Sequence, residues 1–365
     1  MPETYEEYFS QDYFSARERF RAAAAEAGFR QEALPIDRCG PGGELLTIDV
    51  ACSQHGDPQK TLVVSSGLHG VEGFPGSAVQ LALLNHWSCS AQPPVRCVLI
   101  HGLNPYGFAW LRRFDENNID PNRNFLLPGE RFAGAPDGYS SLDRFLNPRS
   151  PPSRWEPFLL KSLWLIARYG LPMLRQAIAA GQHEFPRGLF FAGHRPTQTQ
   201  LLLQKNLPRW LQGAKLAVHL DVHSGLGRSG ACKLLIDYPL SQQQNYWLTD
   251  WFGANSFEPC NSSGISYDAR GGFGRWCVHQ DFAPEYLFAC AEFGTWGPIQ
   301  VLEGLRAENR AFHWGSPGAQ STAAAKQRLV ELFCPKSTRW RSQVIRTALA
   351  IVAQAQHGLL QTSLS

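Results

Sequence analysis

Two histidines, two glutamates and a group of arginines hold most of the chemistry in this 365-residue chain. His69 and Glu72 stand three residues apart in GLHGVEG. An imidazole and a carboxylate at that spacing can both ligate one zinc ion, at about 2.0–2.2 Å each. A catalytic zinc takes a third protein ligand and keeps one position open. His223, which ends the run LAVHLDVH, is the natural donor. If that run is a strand, His219, Asp221 and His223 share one face and Val218, Leu220 and Val222 the other. Asp221 then either orients a ligand histidine from behind or holds a second metal, the first being preferred. His219 is expected to do no more than satisfy Asp221. The segment 104–125, NPYGFAWLRRFDENNIDPNRNF, sets Arg112, Arg113 and Arg123 beside Asn122, among Asp115, Glu116 and Asp120. It is either a solvated charged loop or a binding one. Arginine suits the planar, two-pronged recognition of a carboxylate, and a second arginine near a polarised carbonyl can stabilise an oxyanion. Glu292 follows the apolar run YLFACA, where burial would raise its pKa towards that of a general base.

These side chains need a scaffold, and the pattern supplies one. Ser15 with Glu18 suggests a capping box before RFRAAAAEAG, which Gly28 can end. Strand-like runs fall at 45–52, 61–66, 95–101, 216–222, 233–238 and 286–291, and helix-like runs at 77–87, 299–311, 323–333 and 342–357. Apolar strands separated by helices predict an α/β fold: one domain, a mixed and mostly parallel sheet, helices on both faces. Residues 1–44 are expected to form a helical lead-in, 45–127 and 209–335 the catalytic core, and 336–365 a C-terminal helix. The Pro/Gly/Arg-rich stretch 128–208, helical at 155–182, is expected to be an insertion over the cleft. In such sheets functional loops follow the carboxyl ends of strands, where SSGLHGVEG, HLDVHSGLG and CAEFGTWG stand.

Composition narrows the class. The hydrophobic fraction is 44% and the charged fraction 18%, enough apolar residues for a sizeable core and against disorder. A net charge of +3 gives no nucleic-acid footprint, and no apolar run is long enough to span a membrane. The first twenty residues lack a basic region followed by an apolar one, so a cytoplasmic protein is expected. The nine cysteines are scattered without a C-x-x-C pair and read as buried, reduced thiols.

The blocks GLHGVEG, NPYG, DPNRNF, VHSG, YDARGGFGRW and AEFG follow one another as in the zinc carboxypeptidase family, and most resemble a bacterial branch of carboxypeptidase-like metallopeptidases. The resemblance spans roughly 45–305. It implies a single zinc held by His69, Glu72 and His223, with Glu292 as the general base. It also implies that Asn122 and Arg123 grip the substrate's terminal carboxylate. Arg113, or Arg112 beside it, would stabilise the oxyanion, Arg113 being preferred for its closeness to the block. Tyr267 would close over bound substrate, and Gly274 falls where the family places its selecting side chain. A glycine there offers no charge, so nothing favours a basic or acidic terminal residue. The expected activity is cleavage of an amide next to a free carboxylate in a short peptide. The same H-x-x-E and the DVH at 221–223 also resemble the aspartoacylase and succinylglutamate desuccinylase group, which makes N-acyl-amino-acid deacylation the alternative. A serine hydrolase is disfavoured because no G-x-S-x-G elbow exists. A metal-free binding module would be favoured only if one of the site residues were missing.

Overall fold

The computed structural model describes residues 5–89, 92–153, 155–259 and 270–363. The chain enters through α1 (Tyr13–Glu26), then β1 (Arg30–Cys39), β2 (Leu45–Cys52), β3 (Asp57–Ser66), α2 (Gly73–Cys89), β4 (Val95–His101) and the short α3 (Pro105–Ala109). An excursion follows with α4 (Tyr139–Leu146), α5 (Phe158–Tyr169) and α6 (Leu171–Ala179), before α7 (Gln198–Trp210) leads back. The second half carries β5 (Leu216–Gly225), β6 (Cys232–Leu235), α8 (Gln242–Phe252), β7 (Phe257–Glu258), α9 (Phe273–Val278) and β8 (Glu285–Gly294). It ends in α10 (Pro298–Trp314), α11 (Gln320–Phe333) and α12 (Thr338–Gln361).

Among the described residues the eight strands form one mixed sheet, in the order β1-β2-β4-β3-β5-β8-β6-β7. The four central strands β4, β3, β5 and β8 run parallel, and antiparallel pairs flank them. Strand β5 is buried along its whole length, as a parallel strand covered on both faces must be. Adjacent serines on β3 show the two faces. Ser66 Oγ donates to Gln80 of α2, whereas Ser65 Oγ lies 2.7 Å from His219, whose ring meets Phe273 of α9 edge-on. The α/β reading therefore holds. No helix among the described residues is long and apolar enough to cross a membrane.

Several local expectations are corrected. The N-cap of α1 is Asp12, whose carboxylate accepts from Ser15 N at 2.8 Å, so Ser15 is the third helical residue and not the cap. Starting the helix at Tyr13 lets its hydroxyl donate to Thr47 O at 2.7 Å. The lead-in is not purely helical. Residues 30–39 form edge strand β1, in which Leu34 and Ile36 are buried and Pro35 is tolerated because an edge asks less of its N–H. The stretch 155–182, expected to be one helical segment, holds two helices, α5 and α6, split at Gly170 with φ 77°. Helix α7 straddles position 208 and buries Leu203, Leu207 and Trp210 in the main core. The thiols of Cys39 and Cys89 are exposed, whereas Cys52, Cys97, Cys277 and Cys334 are buried.

Candidate metal centre and cleft

The turn after β3 is a 3₁₀ turn, Gly70–Glu72, tied to the arginine loop by Val71 N donating to Arg112 O at 2.7 Å. This lock sets His69 and Glu72 over the carboxyl end of the sheet. Strand β5 brings His223 to the same place, and in the parallel register His223 lies directly beside Glu292 of β8. His69 Nδ1 is 2.9 Å from Glu72 Oε1, and His223 Nδ1 is 2.9 Å from Glu72 Oε2. Single donor atoms of His69, Glu72 and His223 all fall within 4.8 Å of one another, and all three residues are buried.

The opposite nitrogen of His223 is backed by a carboxylate, and that of His69 lies between a carboxylate and the nearer Arg113 Nη2 at 2.7 Å. His223 Nε2 is 2.6 Å from Asp221 Oδ2, and His69 Nε2 is 3.2 Å from Asp120 Oδ1. Such partners fix which imidazole nitrogen faces a metal and make it more basic. Asp221 therefore stands behind His223. His219 does not touch it directly: Ser65 Oγ bridges them, donating to Asp221 Oδ1 at 2.5 Å, while His219 Nδ1 meets the Tyr286 hydroxyl at 2.8 Å. Asp120 was passed over as one acid among several in its loop. The signal for it was that a ligating histidine needs a partner on its far nitrogen.

Charge at this point favours a dication. Burial would raise the carboxyl pKa values, but His69 and His223 hold Glu72 well below the usual range. Arg113 and His69 do the same for Asp120, and His223 lowers the pKa of Asp221, again against burial. Three ionised carboxylates thus stand against Arg113, with Arg123 also acting on Asp120. A proton on His223 offsets part of this, its pKa held well above the ordinary value by Asp221 and Glu72 despite burial. Two imidazole nitrogens and a carboxylate with an open side are a zinc donor set. A second triplet, His223, Cys290 and Glu292, shares the first site's histidine. Burial and the neighbouring Glu292 push its thiol well above the ordinary range, which argues against a thiolate ligand.

Glu292 accepts from Leu226 N at 2.7 Å, and burial together with the charge of Glu72 raises its pKa to about 7. Arg113 lines the same cleft, with Nε donating to Asp120 at 3.0 Å, Nη1 to Glu72 at 3.1 Å, and Nη2 2.7 Å from His69 Nε2. Arg123 is fixed by Nε donating to Ala179 O at 2.7 Å. Asn122 Oδ1 accepts from Phe273 N at 3.0 Å, and both residues line the cleft. Gly271 makes this approach possible: its φ is +69°, and a Cβ there would sit 2.2 Å from Arg123 O.

Arg112 is a correction. It points away from the cleft, fully buried, with Nε donating to Glu308 at 2.7 Å, Nη2 to Asn118 at 2.8 Å, and its guanidinium carbon 3.4 Å from the centre of the Phe312 ring. It braces α10 and cannot serve the substrate. Arg112→Met strands Glu308 and is expected to cost about 3–5 kcal/mol of stability in a urea titration. A loss under about 1 kcal/mol would mean that the ion pair does not brace the fold. Tyr267 lies outside the described residues. Gly274 has no room for a selecting side chain, because a Cβ would stand 2.4 Å from Asp237 Oδ1 and 2.4 Å from Phe288 Cδ1. Asp237, two residues beyond the end of β6, packs against Gly274 and faces the open cleft. Surrounding protein raises its pKa above the ordinary value.

No curated protein matches the sequence. Solved structures do match in chain path. Carboxypeptidase A from Helicoverpa armigera aligns at 11% identity over 90% of this chain and 75% of that one, with a TM-score of 0.48. Bovine thrombin-activatable fibrinolysis inhibitor aligns at 12% over 93% and 98%, with a TM-score of 0.47. Succinylglutamate desuccinylase from Chromobacterium violaceum aligns at 13% over 87% and 74%, with a TM-score of 0.39. At such distances the likeness is one of chain path alone. A family model matches residues 9–347, and the chain belongs to that family, described as "Protein of unknown function (DUF2817)".

Proposed function

We propose that the protein is a zinc-dependent hydrolase that cleaves an amide next to a free carboxylate, as a carboxypeptidase does. The observation that carries this is the convergence of His69 Nδ1, His223 Nδ1 and the Glu72 carboxylate beside a buried glutamate of raised pKa. Zinc, when bound, would supply a Lewis acid and lower the pKa of water from 15.7 to about 7. The protein's own groups do the rest. Glu292 takes a proton from the attacking water as its oxygen bonds to the carbonyl carbon, and returns a proton to the nitrogen as the C–N bond breaks. Arg113, held by Asp120, faces the developing oxyanion. Arg123 and Asn122 hold the substrate carboxylate, and Asp237 repels a second acidic group nearby.

N-acyl-amino-acid deacylation is the second reading. It is favoured by α5 and α6, whose side chains line the cleft from above and crowd a long peptide. The test is zinc content by elemental analysis, followed by hydrolysis of short peptides and N-acyl amino acids. About one zinc per chain with amide cleavage supports the proposal, and failure to hold zinc after reconstitution ends it. Arg123→Gln is expected to raise KM about 10- to 100-fold for substrates with a free carboxylate, the worth of hydrogen bonds to a charged group. The same substitution should leave amide-capped substrates unaffected. Equal effects on both would remove the carboxylate role.

A further inference from the structure

We propose that the part of the cleft beneath α5, α6 and α10 is an acyl-chain subsite, so that the substrate is an N-acyl amino acid with a long, apolar acyl group. The inference builds on the hydrolase reading for its reaction, whereas the ligand class follows from the walls themselves.

The cleft has a volume of about 680 Å³, ample for a ligand of that size, and its two sides differ. One side carries the histidines, Glu72, Glu292, Arg113, Arg123 and Asp237. The other is hydrocarbon: Leu165 and Ile166 from α5, Leu174 and Ile178 from α6, Leu302 and Leu305 from α10. Ser162 also faces it, but its hydroxyl donates back to Phe158 O at 2.9 Å and offers a ligand little. Arg175 is the one charged side chain these three helices give to the lining, and it is exposed to solvent. Ile166, Ile178 and Leu302 pack on the small core of the excursion yet remain only half buried, so apolar surface is left facing the cleft. Covering that surface is favourable by about 25 cal/mol per Å².

The same wall disfavours a polypeptide. Each further residue of a peptide brings an N–H and a C=O, and leaving either unpaired costs about 1–3 kcal/mol. The helices spend their own backbone groups internally and present aliphatic side chains. A methylene chain asks for nothing more. With the amino-acid carboxylate at Arg123 and the scissile amide at the metal centre, the acyl group extends under the roof. Hydrolysis then joins the water oxygen to the acyl carbon, breaks the C–N bond and transfers a proton to the departing amine, giving a fatty carboxylate and a free amino acid.

The test is calorimetric binding of N-acetyl-, N-octanoyl- and N-dodecanoylglycine to the 365-residue chain, metal-free and zinc-loaded, alongside kcat/KM for each. Affinity is expected to rise about two- to fourfold per methylene, the ceiling being about 0.8 kcal/mol each. Ile166→Trp, which fills the pouch, should flatten that slope. Leu160→Gln, on the exposed outer face of the same helix, should preserve it. A slope lost in Leu160→Gln and kept in Ile166→Trp would place the chain on the outside and overturn the proposal. So would a flat series, or a dependence on the amino-acid side chain in place of the acyl length. If acetyl substrates or peptides are still hydrolysed in that case, the hydrolase reading survives alone. A chain-length slope without hydrolysis by the zinc-loaded protein would uphold the subsite and end the hydrolase reading.

Discussion

Glu292→Gln is expected to keep its zinc and lose about 100- to 10,000-fold in kcat, the range that positioned general bases contribute. The substitution is nearly isosteric. The amide oxygen can still accept from Leu226 N, so the loop after β5 stays in place. Stability should not fall either. A carboxyl whose folded pKa is raised above the ordinary 4.5 to about 7 destabilises the folded state as pH rises through that window, because the unfolded chain releases the proton more readily. A neutral amide escapes that penalty above pH 7. An inactive variant at least as stable as wild type would therefore isolate the loss of a proton acceptor. The wild-type pH profile gives the companion measurement. The base works only when ionised, so kcat/KM should fall as pH drops through about 7 in the absence of other charge. A bound dication favours the carboxylate and moves that limb lower. Retention of activity within tenfold by Glu292→Gln would remove this residue from the mechanism.

The parts of the site that could be read from the sequence are those set by short spacing on regular elements. His69 and Glu72 share one turn, and His219, Asp221 and His223 alternate on one strand, so their common face followed from pleat geometry alone. The arginines show the opposite case. Arg112 and Arg113 are neighbours on an irregular turn, and which one faces the cleft depends on Glu308, 196 residues further along the chain. No local pattern holds that information. Asp237 is similar: its place in the cleft follows from β6 ending at Leu235 and from close packing against Gly272 and Gly274. Edge strand β1 was hidden because only Leu34 and Ile36 of its ten residues are buried, leaving an alternation too short to stand out from the polar residues around it. The aliphatic wall under α5 and α6 read simply as a helical insertion, since a helix turned towards a cleft and one turned towards a core have the same periodicity.

His223→Ala should remove the metal altogether and activity with it, the second of the two largest effects. The substitution deletes one of two imidazole donors and leaves Glu72 and Asp221 facing each other across the gap. The carboxylates behind the ligands should act more gently. Asp221→Asn and Asp120→Asn keep every direct ligand but weaken the hold on the far imidazole nitrogen, which typically lowers metal affinity about 10- to 100-fold. A chelator-competition titration read by elemental analysis would rank wild type, the two asparagine variants and His223→Ala in that order. The pH dependence follows from the same contacts. Because Asp221 and Glu72 hold the His223 pKa well above its ordinary value, a proton competes with the metal, and affinity should weaken steadily as pH falls. Asp221→Asn removes the larger support of that pKa, so its affinity should depend less steeply on pH even though it binds more weakly. One zinc per chain retained by His223→Ala would overturn the assignment of ligands. Two zincs in wild type, one of them lost with Glu292→Gln, would instead give the second triplet of His223, Cys290 and Glu292 a metal of its own.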